Sequence, residues 1–245
     1  MVTRFSLIAL LLLCASVTRN GSQAGDSPAE RAFHVAGQVK LFQVDSGAPM
    51  KDESRVVVWL TPQGVVQPVR LQSSQKKYRM VQRNKMFEPS LLVVPLDSFV
   101  EFPNLDPWFH NVFSLYQGKR FDLGLYEAGA QKTIKFDRPG PSYVFCNIHP
   151  EMAAVVLTVD SDFYGISEKS GRTSIENVPE GKYLLHVWYE NASPQSLDSL
   201  QRPVEVERDT DTLFSISLPA SPQKSTKHKN KYGKDYDPKA GSTDY

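Results

Sequence analysis

From Phe33 onward the chain alternates apolar and polar positions in short runs rich in Val, Ile, Tyr and Phe, the period of strands half buried on a sheet. No long segment carries the 3.6-residue apolar spacing of an amphipathic helix. The alternation predicts strands over 34–44, 55–61, 91–95, 98–102, 111–115, 131–136, 142–146 and 153–159, then over 172–175, 182–189, 203–206 and 212–217. Turn signals fall between them, as in Asp137-Arg-Pro-Gly-Pro141 and Val178-Pro-Glu-Gly181. So many short strands, regularly punctuated, imply an all-β chain folded as β-sandwiches.

The two ends break this pattern. Met1-Val-Thr-Arg4 is followed by an apolar run over 5–17 and then by Ser22-Gln-Ala24, a small-x-small site, so residues 1–24 read as an export signal. The run is short of the ~20 residues a membrane helix needs, which predicts an exported, periplasmic protein with no stable membrane insertion after cleavage. An uncleaved anchor is the alternative. Residues 220–245 carry six Lys and three Asp with almost no aliphatic side chain, and predict a solvated, disordered basic tail, at most a weak docking handle for an acidic partner. Over the whole chain 28 Lys and Arg balance 27 Asp and Glu, which argues against nucleic acid or an anionic membrane surface as a partner.

Cysteine usage narrows the chemistry. Cys14 lies in the export run, so the mature chain keeps Cys146 alone and has no internal disulfide. Its thiol is then reactive, bridged to another molecule, or bound to a metal. The segment Cys146-Asn-Ile-His-Pro-Glu-Met152 presents a thiolate, an imidazole and a thioether from one tight loop after a predicted strand. Upstream, His110 supplies a second imidazole in Phe102-Pro-Asn-Leu-Asp-Pro-Trp-Phe-His-Asn-Val-Phe113. Taken singly, Cys146 and Met152 also read as core fillers and His110 as a boundary residue. Together, one Cys, two His and one Met form the soft donor set of a blue-copper electron-transfer centre, whereas structural zinc sites use several Cys or His and no thioether.

These motifs, with Phe136-Asp-Arg-Pro-Gly140 leading into Tyr143-Val-Phe-Cys146, resemble the cupredoxins, amicyanin and plastocyanin above all. The stretch 80–160, including Phe121-Asp-Leu-Gly-Leu-Tyr126, is also similar to exported bacterial proteins of the methylamine-utilisation type. The resemblance implies one type 1 copper per chain, with His110, Cys146 and His149 equatorial and Met152 axial. It also implies that the Asn111 side chain ties the histidine strand to the cysteine loop. His149 would lie nearest the surface as the electron's exit, and a redox protein would dock transiently at an apolar rim of Trp108, Phe109 and Pro150. Pro150, lacking an N–H, cannot hydrogen-bond the sulfur. Many cupredoxins carry Gly two residues after the methionine; Ala153-Ala154 follow here, so loop closure differs in detail.

A second unit surrounds the first. Val35-Ala-Gly-Gln-Val39, Asp45-Ser-Gly-Ala-Pro49 and Val56-Val-Val-Trp-Leu60 resemble the opening strands of a carboxypeptidase-regulatory-like, transthyretin-type sandwich. Its closing half is resembled by the segment running from Ser170-Gly-Arg172 through Val178-Pro-Glu-Gly-Lys-Tyr183 to Trp188. The expected fold is therefore a cupredoxin Greek-key sandwich over 73–159 inserted in, or adjacent to, a second immunoglobulin- or prealbumin-like sandwich made of 32–72 and 160–219. Pairing between 56–60 and 182–188 distinguishes insertion from simple succession. His186, two residues from Trp188 on one face, is expected to be packed rather than ligating.

The leading expectation is an exported carrier of single electrons and not an enzyme. Beyond His110 and His149 only His34, His186 and His228 remain, with no His-x-His pair for catalytic copper. Copper delivery is one alternative, although Met50, Met80 and Met86 form no cluster in sequence. An extracytoplasmic binding module with an auxiliary copper site is the other.

Overall fold

The computed structural model describes residues 31–64, 77–115, 118–221 and 228–236. The expected export signal with Cys14, and the stretch 65–72 assigned to the outer unit, lie outside them. The chain opens with β1 (Ala32–Gln43) and β2 (Val57–Pro62). Ten strands follow: β3 (Tyr78–Arg79), β4 (Val81–Arg83), β5 (Met86–Glu88), β6 (Leu91–Pro95), β7 (Ser98–Pro103), β8 (His110–Ser114), β9 (Phe121–Tyr126), β10 (Gln131–Phe136), β11 (Gly140–Phe145) and β12 (Ala153–Val159). Then come β13 (Tyr164–Ile166), β14 (Arg172–Pro179), β15 (Gly181–Trp188), the short helix α1 (Pro194–Asp198), β16 (Arg202–Val206) and β17 (Thr210–Ala220). The described chain is thus nearly all β, arranged as sandwiches.

The first two and the last five strands form one sandwich. Its sheets run β14-β1-β17 and β13-β2-β15-β16, so each contains strands from both ends of the chain. The pairing that separates insertion from succession is present: Val57 to Pro62 run antiparallel against Trp188 to Tyr183, with Leu60 opposite Leu185. Alternation explains the core. Val35, Val39 and Leu41 of β1, Val58 and Leu60 of β2, Tyr183, Leu185 and Val187 of β15, and Phe214, Ile216 and Leu218 of β17 are buried in one cluster between the sheets. Gly37 lies opposite Phe214, and a Cβ there would sit 2.3 Å from the Phe214 ring and 2.4 Å from its carbonyl oxygen, so only glycine permits this close approach.

Strands β3 to β12 make the middle unit, with sheets β10-β7-β3 and β6-β12-β11-β8-β9 and the hairpin β4-β5. Met80, Val100, Phe102, Val112, Phe136, Val144, Cys146, Met152 and Val156 share its core. The run Ala153 to Val159 is apolar at every position but Thr158 because β12 is covered on both faces. Ala154 and Val156 enter the middle core, while Val155, Leu157 and Val159 pack with Leu91, Val93, Val57 and Trp188 in a seam between the two units. At roughly 1.5–3 kcal/mol per fully buried large aliphatic side chain, that seam is itself a small core. Polar contacts run along it: the Tyr164 hydroxyl donates to the Val93 carbonyl at 3.2 Å and Arg55 to the Ser90 hydroxyl at 2.7 Å. His186 stacks on Trp59, with ring centres 4.9 Å apart and planes 10° from parallel, so it is packed.

Five strands and α1 depart from the alternation reading. β4 and β5 are three residues each and turn through Asn84 and Lys85, whose φ angles of 54° and 55° are left-handed without glycine. β9 is mostly half exposed and carries a left-handed Gly124. The tail reading is also revised: β17 continues through Ala220, and residues 228–236 lie against the middle unit through hydrogen bonds to Cys146 and Asn147.

Gly37→Ala is expected to lower unfolding stability by about 3 kcal/mol, the upper range for overpacking against a rigid backbone. Denaturant titration of the two chains measures it, and the outer sandwich is the part that loosens.

Candidate metal centre

His110 opens β8, all five of whose residues are buried between β11 and β9. Cys146 follows β11 directly, and the loop from it to β12 closes on itself: the Cys146 N–H donates to the Met152 carbonyl at 3.2 Å, and the Met152 N–H to the His149 carbonyl at 3.1 Å. This folding turns three side chains to one point. Cys146 Sγ lies 3.6 Å from His149 Nδ1 and 3.9 Å from His110 Nδ1, and the two Nδ1 atoms are 3.1 Å apart. His110 and Cys146 are wholly buried, while His149 keeps 9% of its surface exposed. Met152 is buried in the same apolar cluster as Cys146. The structure thus brings together His110, Cys146 and His149, and buries Met152 in the core cluster that holds Cys146.

Burial sets the protonation states. Desolvation pushes the Cys146 thiol up, opposed by the backbone N–H groups of Asn111, Ile148 and His149. Desolvation, with His110 and Lys85 adding to it, lowers His149 to about 4. His110 is lowered by desolvation and partly restored by Asp106. Both imidazoles are therefore neutral at pH 7, the form that ligates a metal.

Asp106 is the functional residue that alternation and spacing did not disclose. It is 4% exposed, and its Oδ2 lies 2.8 Å from His110 Nε2, the nitrogen facing away from the cluster. Burial raises its pKa, but the backbone N–H of Lys85, the His110 ring and the N–H of Asn84 outweigh that and hold the carboxyl below its usual range. The two N–H groups donate at 2.9 and 2.6 Å from the β4-β5 turn, and the Asp106 N–H donates to Asn104 Oδ1. A carboxylate on the far nitrogen fixes which ring nitrogen is free to bind a metal. The four-residue interval from Asp106 to His110 was the available signal, but nothing in the sequence places residues 84 and 85 beside it.

Asn111 corrects an expectation. Its side chain donates to Asp122 Oδ1 on β9 at 2.8 Å, not to the cysteine loop, because successive side chains of β8 point to opposite faces. The N–H of Asn111, rather than its amide group, faces the sulfur.

No protein-family model matches this sequence, and no curated protein matches it. Solved structures do. A copper-containing nitrite reductase from Thermus scotoductus SA-01 aligns at 24% identity and TM-score 0.34, over 35% of this chain and 23% of that one. A purple cupredoxin from Nitrosopumilus maritimus aligns at 20% identity and TM-score 0.32, over 34% of this chain and all of that one. A reduced Cu(I) form of an amicyanin variant aligns at 16% identity and TM-score 0.32, over 36% of this chain and 89% of that one. The chain spans less than a quarter of the nitrite reductase. That protein is an enzyme, and its presence among the matches overturns the expectation of no enzymatic activity drawn from the histidine count. Among the described residues no helix is long and apolar enough to cross a membrane.

Two outcomes follow from this geometry. Asp106→Asn, which keeps the shape and removes the charge, is expected to weaken metal binding 10- to 100-fold in competition titrations, the usual cost of losing such a partner. For the metal-free chain, His149 titrates near 4 when folded and near 6.5 when unfolded, so between those values the unfolded state binds more protons and stability falls with acidification. Thermal unfolding at pH 5 and 7.5 measures this, and His149→Gln is expected to flatten the difference.

Proposed function

We propose that this chain is an exported type 1 copper protein that carries single electrons between redox partners. The observation that carries the reading is the convergence of one buried sulfur and two buried imidazole Nδ1 atoms, all within 4.8 Å of one another. One thiolate with two imidazoles suits copper by softness and number, and Met152, buried in the same core cluster as Cys146, is the thioether we assign as the weak fourth ligand that such sites use. Bound there by His110, Cys146, His149 and Met152, a copper ion supplies a one-electron couple.

The chain's own residues do the rest. Asp106 holds His110 with Nδ1 toward the cluster and Nε2 occupied. The N–H groups of Asn111, Ile148 and His149 face the sulfur and favour its thiolate form, with no donor from Pro150. Strands on both sides of the loop keep the ligating atoms together, so the site is preorganised and changes little between charge states. His149 is the member of the set with exposed surface, and Phe109 at 44% and Leu105 at 50% exposure supply apolar area in the segment leading to His110. With Trp108 and Pro150 they form the rim on which a redox protein docks briefly. Export to the periplasm, through the segment over 1–24, belongs to the same proposal.

Titration of the purified chain with Cu(II) under visible absorption tests the reading. An intense band saturating at one copper per chain and absent in Cys146→Ser is the expected result. A band that survives the substitution, or none at all, overturns it.

A further inference from the structure

The segment 228–236 lies on the cysteine loop, and its contacts are specific. The Tyr236 hydroxyl donates to the Cys146 carbonyl at 2.7 Å, and the Lys231 N–H donates to Asn147 Oδ1 at 2.9 Å. The Lys231 ammonium meets Asp122 Oδ2 at 2.8 Å, the same carboxylate whose other oxygen takes the Asn111 side chain. The His228 ring packs on Phe145, centre to centre 4.3 Å, with Phe113 at 6.4 Å and the Tyr236 ring edge-on at 5.3 Å. One nine-residue piece therefore touches the residues flanking Cys146 and, through Asp122, the residue after His110.

The segment also holds its own shape. The N–H groups of Tyr232 and Lys234 both donate to Asn230 Oδ1, and the backbone of Asn230 is bonded in both directions, to Lys234 and Gly233. Gly233 at φ 74° supplies the left-handed step that the turn requires. Its lysine-rich composition conceals an Asn, a Gly, a His and a Tyr, each used in a defined contact. The acidic partner anticipated for a basic tail is here Asp122 of the same chain.

We propose that residues 228–236 are a clasp that positions the Cys146–Met152 loop and controls access to the Cys146 thiol. This rests on reading that loop as the metal-bearing one, but its mechanism is independent of any ion: the clasp ties the loop to β9 and shields the loop backbone on one side. Opening of the loop, which exposes the sulfur, then requires loss of the Tyr236 and Lys231 bonds.

The test uses the metal-free full chain and a chain ending at Ser221, with the alkylation rate of Cys146 by a small thiol reagent as readout. Removal of the clasp is expected to raise the rate about tenfold or more, the scale of one or two net hydrogen bonds. The denaturant midpoint of the outer sandwich is expected to stay unchanged. A synthetic peptide of residues 222–245 added in trans is expected to restore protection, which a general loss of fold would not allow. Tyr236→Phe in the full chain, which keeps the ring and removes one bond, is expected to give a smaller rise of several-fold and carries the test if the shortened chain fails to fold. Rates within twofold of the intact chain overturn the clasp. A raised rate together with no thiolate–copper band leaves the clasp standing and removes the copper reading; unchanged rates beside a normal band do the reverse.

Discussion

A buried imidazole can turn either nitrogen toward a neighbour, and the centre of this protein depends on which one His110 offers. The bond from His110 Nε2 to Asp106 settles that choice and leaves Nδ1 facing Cys146 and His149. Asp106 is in turn held as a carboxylate by two backbone N–H groups of the Asn84-Lys85 turn. A hairpin of two three-residue strands with no part in the main sheets thus acts on the site through one carboxylate. Its left-handed turn residues are the conformational cost of presenting two N–H groups side by side.

The second dependence is on covering. The cysteine loop joins β11 to β12, and β12 is packed on one face by the middle core and on the other by the seam with the outer sandwich. A strand so enclosed has no cheap displacement, because shifting it by one residue exchanges its two apolar faces and disrupts both packings. The loop is therefore rigid at its C-terminal end for reasons that lie partly in the outer unit. At its N-terminal end, Phe145 is paired with Phe113 of β8, so the cysteine and histidine strands are in register at the site itself.

Much of this was legible in the chain. Alternation located β6, β10 and β12 to the residue, and the interval between Cys146, His149 and Met152 displayed one loop with several donors. Such features are local, written within a few residues. What escaped was set by distance in sequence: the hairpin that serves Asp106 lies some twenty residues away, and short strands such as β4 carry too few positions to show a period. Asn111 failed as a prediction for a different reason, since the side chain after His110 on β8 points to the opposite face, where Asp122 of β9 takes its amide. The C-terminal stretch misled by composition, because abundant lysine outweighed the single His228 and Tyr236 that give it a place.

The route of the chain between the units carries one more implication. It leaves the outer sandwich at the end of β2, builds the whole middle unit, and returns in β13, which pairs antiparallel with β2 from Tyr164 opposite Trp59. Topologically the middle unit is the loop of a β-hairpin. Loop-closure entropy grows only slowly with length, so the outer sheet bears almost the same cost for carrying a complete second core at this turn as for a long ordinary loop. The outer sandwich then specifies its own ladder whatever hangs at that tip, and the donor cluster is modular cargo on a frame that could present another.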